Sequence, residues 1–217
     1  MGIIEGIIFD MDGILFDTER ISFSFWKKVL KKYGYVMNKE VYISLLGRNY
    51  EAINIILIEK YGEDFPITKI RNEKDKDMLK FIYENGAPVK PGVYELLDFL
   101  VERGYKLALA TSNRRKRAVD LLEMAGIRSK FSAIICGDDV INSKPNPEIF
   151  LKAAERLKAN PKKCIVLEDS PAGIEAAYKG GMMGINVLDL KEPDDEIKML
   201  AYKIFGSLLE VRDYLKK

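Results

Sequence analysis

Four segments carry side chains that could do chemistry on an oxygen-rich substrate. Asp10 and Asp12 stand one residue apart in "IIFDMDG", directly after an apolar run. Thr111, Ser112 and Asn113 end the apolar stretch "LALATSN". Lys144 opens "KPNPEIF", with Asp138 and Asp139 a little upstream. Glu168, Asp169 and Ser170 end the stretch "IVLEDS". Carboxylates without imidazole suit a hard, oxygen-seeking cation such as Mg²⁺, which takes one or two protein carboxylates plus substrate phosphate oxygens. A hydroxyl where a helix begins suits an anion, and a lysine adds a compact positive charge. An aspartate can also attack phosphorus to form an acyl phosphate. Positioning and charge neutralisation are most of what phosphoryl transfer needs.

Each segment also has a plainer reading. Asp12–Gly13 could simply close a turn. Any one of Thr111, Ser112 and Asn113 could cap a helix, and Glu168 with Asp169 could complement the dipole of a helix starting at Pro171. Lys144 could be an ordinary exposed lysine. Those readings leave unexplained why four apolar stretches in chain order all end in polar groups.

The elements that would position these groups follow from periodicity. Residues 3–9 form a short isoleucine-rich run that predicts a buried strand. Residues 18 to 85 then read as helices only. One has Phe23, Trp26, Leu30 and Tyr33 at helical spacing, another runs from an Asn49 cap to Gly62, and a third ends at Gly86. "GAPVKPG" is a turn-rich junction. Beyond it strands and helices alternate to the end of the chain, with a helix expected to begin near Pro147 and a short strand at "YKIF". This pattern predicts a doubly wound, Rossmann-like α/β parallel sheet, residues 1–17 with 86–217, carrying a helical cap at 18–85 inserted after the first strand. In such sheets ligands bind beyond the carboxyl ends of the strands, so the four polar ends would share one crevice.

Composition narrows the chemistry. The chain has 217 residues, 47% of them hydrophobic and 31% charged, an ordinary globular balance. A net charge of +2, from 35 basic and 33 acidic residues, is no footprint for nucleic acid or a membrane surface. No apolar run is long enough to span a bilayer, and the first residues lack the charged and small-residue flanks of a signal peptide. Cys136 and Cys164, each in an apolar run, read as reduced core residues of a cytoplasmic protein. Histidine is absent, which removes every mechanism built on a histidine base or ligand. One compact core leads us to expect a monomer.

The segments "FDMDGILFDTE", "LALATSN", "SKPNPEIF" and "VLEDSPAGIEAA", in this order and spacing, resemble the haloacid dehalogenase-like hydrolases, in the subgroup containing β-phosphoglucomutase and many small-molecule phosphatases. The resemblance spans essentially the whole chain, because the helical insert sits where this subgroup carries its cap. It implies that Asp10 is the phosphorylated nucleophile and Asp12 the general acid, then base. It implies that Thr111 binds the transferring phosphoryl group, with Ser112 and Asn113 beside it, and that Lys144 pairs with that group and with Asp10. Mg²⁺ would be held by Asp10, the backbone carbonyl of Asp12 and Asp169, with Glu168 at the metal or its water shell. Ser22 stands where the mutase has a functional histidine, and Leu46 replaces its cap lysine, although Arg48 remains to meet a substrate anion. These departures favour a phosphatase of a small phosphorylated metabolite over a phosphosugar mutase. The dehalogenase reading is weaker, because Asp12 and the acidic metal set have no use in it. A phosphoacceptor receiver domain fits less well, since receivers lack a helical insert and carry their nucleophile elsewhere. A non-catalytic phosphate-binding protein would leave a complete catalytic set idle. Specificity is expected from residues near Leu46, Gly47, Arg48 and Asn49, with the aromatic stripe of the insert serving as core.

Overall fold

The computed structural model describes residues 4–46 and 50–216. Gly47, Arg48 and Asn49, among them the expected substrate-binding arginine and the expected helix cap, lie outside the described residues. The chain divides into two compact units, one of Met1–Asp17 with Ala87–Lys217, the other of Thr18–Gly86.

The first unit is built on six strands: β1 (Gly6–Phe9), β2 (Lys106–Ala110), β3 (Ala133–Ile135), β4 (Cys164–Glu168), β5 (Met183–Val187) and β6 (Lys203–Phe205). They pair in the order β3-β2-β1-β4-β5-β6, every pair parallel. β1 is central and entirely buried, which is why its sequence is a continuous apolar run without alternation. Register aligns Phe9 with both Leu109 and Leu167, so the next residues of β1 and β4, Asp10 and Glu168, leave the sheet side by side.

Both faces of the sheet are covered. Ile8, Ala108, Ala110 and Val166 face a core completed by Ile149, Phe150, Ala153 and Ala154 of α7 (Glu148–Leu157) and by Ala176 and Ala177 of α8 (Pro171–Lys179). The alternate residues Ile7, Phe9, Leu109 and Leu167 are equally buried. The remaining helices of the unit are α5 (Val93–Glu102), α6 (Arg115–Met124), α9 (Asp195–Leu200) and α10 (Leu208–Leu215). Pro147 precedes α7 as its cap rather than opening it, one residue earlier than the proline rule suggests. Chain order reverses between β1 and β4, the point where open α/β sheets leave a crevice.

The second unit holds α1 (Thr18–Lys32), α2 (Lys39–Leu45), α3 (Tyr50–Tyr61) and α4 (Ile67–Asn85). α1 buries Phe25, Trp26, Val29 and Leu30, while Phe23 and Tyr33 of the expected stripe are half-buried and lie at its margin. α1 and α4 are tied by Glu73, which accepts from Tyr33 Oη at 2.8 Å and pairs with Lys32. α2 and α9 have seven and six residues, too few for a periodic signal; each is marked instead by a cap, Asn38 accepting from Val41 N and Asp194 from Ile197 N. The chain leaves and re-enters the first unit along paired segments: Asp17 N donates to Pro88 O at 2.7 Å and Lys90 N to Leu15 O at 2.9 Å. Among the described residues no helix is long and apolar enough to cross a membrane.

Phe150 is fully buried between α7 and the sheet. Replacing it with alanine is expected to cost about 3–5 kcal/mol, measured as the shift of the urea midpoint at unchanged slope. An unshifted midpoint would contradict this packing.

Candidate active site

Asp10 follows β1, and its backbone N–H donates to Leu167 O at 2.9 Å, so its position is set by the β1–β4 pairing itself. Its carboxylate is buried and accepts from Lys144 Nζ at 2.6 Å. The same ammonium donates to Glu168 Oε1 at 2.7 Å and lies 4.8 Å from the ring centroid of Phe150. The other oxygen of Glu168 accepts from Ser170 N at 2.7 Å. Ser170 in turn caps α8 by accepting from Gly173 N, with Pro171 in the first turn. Gly173 is required by a close approach, since a Cβ there would lie 1.8 Å from Glu168 Oε1.

Carboxylate oxygens of Asp10, Glu168 and Asp169 lie within 4.8 Å of one another. Two of these acids, Asp10 and Glu168, share one buried ammonium, and the third, Asp169, lies beside them. Desolvation by burial would lower the Lys144 pKa, but the attraction of Asp10 and Glu168 outweighs it and raises the value, so the ammonium stays charged. Burial pushes the Asp10 carboxyl up to about 7 against the pull of Lys144, with Glu168 and Asp12 pushing the same way. The two directions agree once the charges are counted: Lys144 has two close acids to itself, whereas Asp10 shares one cation with them. A local excess of buried negative charge with oxygen donors only is what a hard divalent cation would neutralise. The residues present therefore fit Mg²⁺.

Gly13 shapes the turn after the acids. Its φ is +77°, and a Cβ would lie 2.2 Å from Asp169 Oδ2, so only glycine lets Asp169 close on this turn. Asp12 is directed differently from Asp10. Its carboxylate accepts from Asn113 Nδ2, and Arg117 of α6 approaches it at 3.8 Å. Thr111 is 1% exposed; its N–H donates to Ile135 O, and its hydroxyl accepts from Asn113 N and Nδ2 at 3.2 and 3.0 Å. Ser112 is exposed and borders a separate cavity beside Lys144.

The structure therefore brings Asp10, Lys144, Glu168 and Asp169 together, and joins Asp12, Asn113 and Thr111 by hydrogen bonds. Asp138 and Asp139 form another group, with Cys136. There Asp138 accepts from Arg115 N, while Asp139 accepts from Cys136 N and pairs with Arg115, so these acids secure the loop and the start of α6. Both cysteines are free and buried, and burial pushes each thiol up to about 11. Arg117 is the residue that motif reading missed. Its signal was the run "RRKR" at the start of α6, where the helix dipole disfavours cations and their presence calls for another reason.

A parallel sheet of order 3-2-1-4-5-6 with acids at its reversal point defines a Rossmann-like α/β fold with a candidate site at its crevice. The family model described as haloacid dehalogenase-like hydrolase matches residues 7–187, and the chain belongs to that family, as a phosphoric monoester hydrolase. The phosphorylated carbohydrates phosphatase of Thermotoga maritima is 35% identical over 184 residues, 82% of each chain. The fructose-1-phosphate phosphatase YqaB of Escherichia coli is 32% identical over 182 residues, 84% of this chain and 95% of that protein. The crystal structure of β-phosphoglucomutase from Clostridium difficile has a TM-score of 0.73 at 28% identity, covering 99% of this chain and 100% of that one.

Gly13→Ala forces an L-residue into the left-handed region, at a cost of about 1–2 kcal/mol, and drives its methyl into Asp169. We expect a lower thermal midpoint together with weaker Mg²⁺ binding by calorimetry. Wild-type values for both would contradict the close approach.

Proposed function

We propose that this protein is a Mg²⁺-dependent phosphatase of a small phosphorylated carbohydrate, working through a phosphorylated Asp10. The observation that carries the reading is the convergence of buried Asp10, Lys144 and Glu168 with half-buried Asp169 at the reversal point of the sheet. The names of the two phosphatase relatives support the substrate class.

Asp10 attacks phosphorus with one carboxylate oxygen while Lys144 holds the other, which fixes the carboxylate plane. Asp12, held by Asn113 and approached by Arg117, gives its proton to the leaving oxygen as the ester bond breaks. Asp12 then takes a proton from water as that water attacks phosphorus, and the bond to Asp10 breaks to release phosphate. The Thr111 hydroxyl and the Lys144 ammonium receive the phosphoryl oxygens. Asp10, Asp169 and the Asp12 carbonyl would hold Mg²⁺, with Glu168 bound mainly to Lys144. Bound there, the cation supplies charge neutralisation for phosphoryl oxygens and for Asp10. The helical unit, including Arg48, is assigned as the cap that selects the leaving group.

A mutase reading is favoured by the full-length likeness to β-phosphoglucomutase and opposed by Ser22 and Leu46 at the positions named above. Assay of sugar phosphates for both free phosphate and isomer separates the two, and we expect phosphate without isomer. With an aryl phosphate, Asp10→Asn is expected to lose about a thousandfold or more in kcat, and Asp12→Ala about 10²–10⁴-fold. Chelation should abolish turnover and added Mg²⁺ restore it. Full activity of Asp10→Asn would end the nucleophile assignment.

A further inference from the structure

Lys144 rides on the segment joining β3 to α7; Val140 in that segment packs against the sheet core, but the residues between it and the lysine are not held by burial. Residues 141–143 are exposed, Ile141 to 91%, an unusual state for isoleucine. The segment also borders a cavity of about 300 Å³, lined by Ser112, Arg114, Ile141, Ser143 and Lys144 among others. Exposed residues that border open space are not positioned by close packing. The lysine must nevertheless meet Asp10 and Glu168 at 2.6 and 2.7 Å.

The fastening comes from α7. The Glu148 carboxylate accepts from Ile141 N at 3.0 Å, Asn142 N at 2.9 Å and Asn142 Nδ2 at 3.1 Å. Lys152, one turn further along, donates to Glu148 and to the Asp139 carbonyl, both at 2.7 Å. Asn146 closes the remaining turn, donating from its N–H to Ser143 O and accepting from Glu148 N, each at 3.0 Å. An acid in the first turn of a helix ordinarily serves that helix's own N–H groups or dipole. Glu148 instead reaches back six and seven residues, to backbone N–H groups outside the helix. The Lys152 ammonium, then the Ile141 and Asn142 N–H groups, hold its carboxyl down at about 2, so it remains an acceptor at any ordinary pH. Ile149 and Phe150, next in sequence, are buried in the sheet core, so the fastening point is rigid.

We propose that Glu148 is a positioning residue for Lys144: by pinning the backbone of Ile141 and Asn142 to the rigid start of α7, it sets where the ammonium meets Asp10 and Glu168. The inference rests on the phosphatase reading for the role of Lys144. Removing a residue that orients a site group without touching the reaction typically costs about 10–100-fold in activity or affinity.

The test uses the whole chain as wild type, Glu148→Ala, Glu148→Gln, Lys144→Ala and the double variant Glu148→Ala/Lys144→Ala. Aryl phosphate turnover with Mg²⁺ and the affinity for orthovanadate, a phosphoryl analogue, are measured, with thermal unfolding as the control. We expect Glu148→Ala to lose at least about tenfold in kcat/KM, and Glu148→Gln, which keeps one acceptor oxygen, to recover part of that loss. The double variant should bind vanadate no more weakly than Lys144→Ala alone, because Glu148 acts through Lys144. Wild-type turnover by Glu148→Ala, or vanadate penalties that add in the double variant, would overturn the inference. Should Glu148→Ala fail to fold, wild-type turnover by Glu148→Gln overturns it instead. Wild-type turnover and vanadate affinity in Lys144→Ala would strike the phosphatase assignment of that lysine, an outcome distinct from a failure at Glu148.

Discussion

Lys144 lies almost fully buried between two carboxylates that belong to adjacent strand ends. A buried charge pair is tolerated only when each member is satisfied, and removing one partner strands the others at a cost of about 3–5 kcal/mol. That constraint reaches far into the fold. It requires β1 and β4 to be neighbours in register, so that Asp10 and Glu168 emerge together. It requires Gly173, because no Cβ fits against Glu168, and a loop after β3 that delivers the ammonium from the side.

The acids outnumber the cation, and this imbalance links structure to chemistry. A site balanced by lysine alone would be an inert internal ion pair. Here burial raises the Asp10 pKa, two further acids stand close by, and an oxygen-only donor set of this kind would suit a hard cation. Asp12 stands apart from this group, oriented by Asn113 and Arg117. Two acids separated by a single residue thus meet different surroundings, as the assignment of different roles to them needs.

Strand pairing places Asp10 and Glu168, whereas the loops that carry the other polar groups are fastened to helix starts. Asp138 and Asp139 secure the start of α6, Ser170 caps α8, and Glu148 with Lys152 fastens the segment before α7. Side chains held by such supports keep a fixed geometry.

The β-α alternation, the helical insert and the polar strand ends were legible in the sequence, because burial on both faces of a parallel sheet leaves continuous apolar runs that stop abruptly at the crevice. The absence of histidine excluded whole classes of mechanism by composition alone. α2 and α9 escaped notice because six or seven residues display no period, and their caps lie in side-chain hydrogen bonds. Only the tertiary structure decided which polar ends touch. Asp138 and Asp139 also follow an apolar run, yet they face Arg115 and a backbone N–H, because β3 lies at the sheet edge and β4 beside β1. Arg117 and Glu148 acquired their partners the same way. Spacing along the chain determines which residues share an element, whereas strand order and loop path determine which residues from different elements come within hydrogen-bonding distance, and no local pattern encodes that.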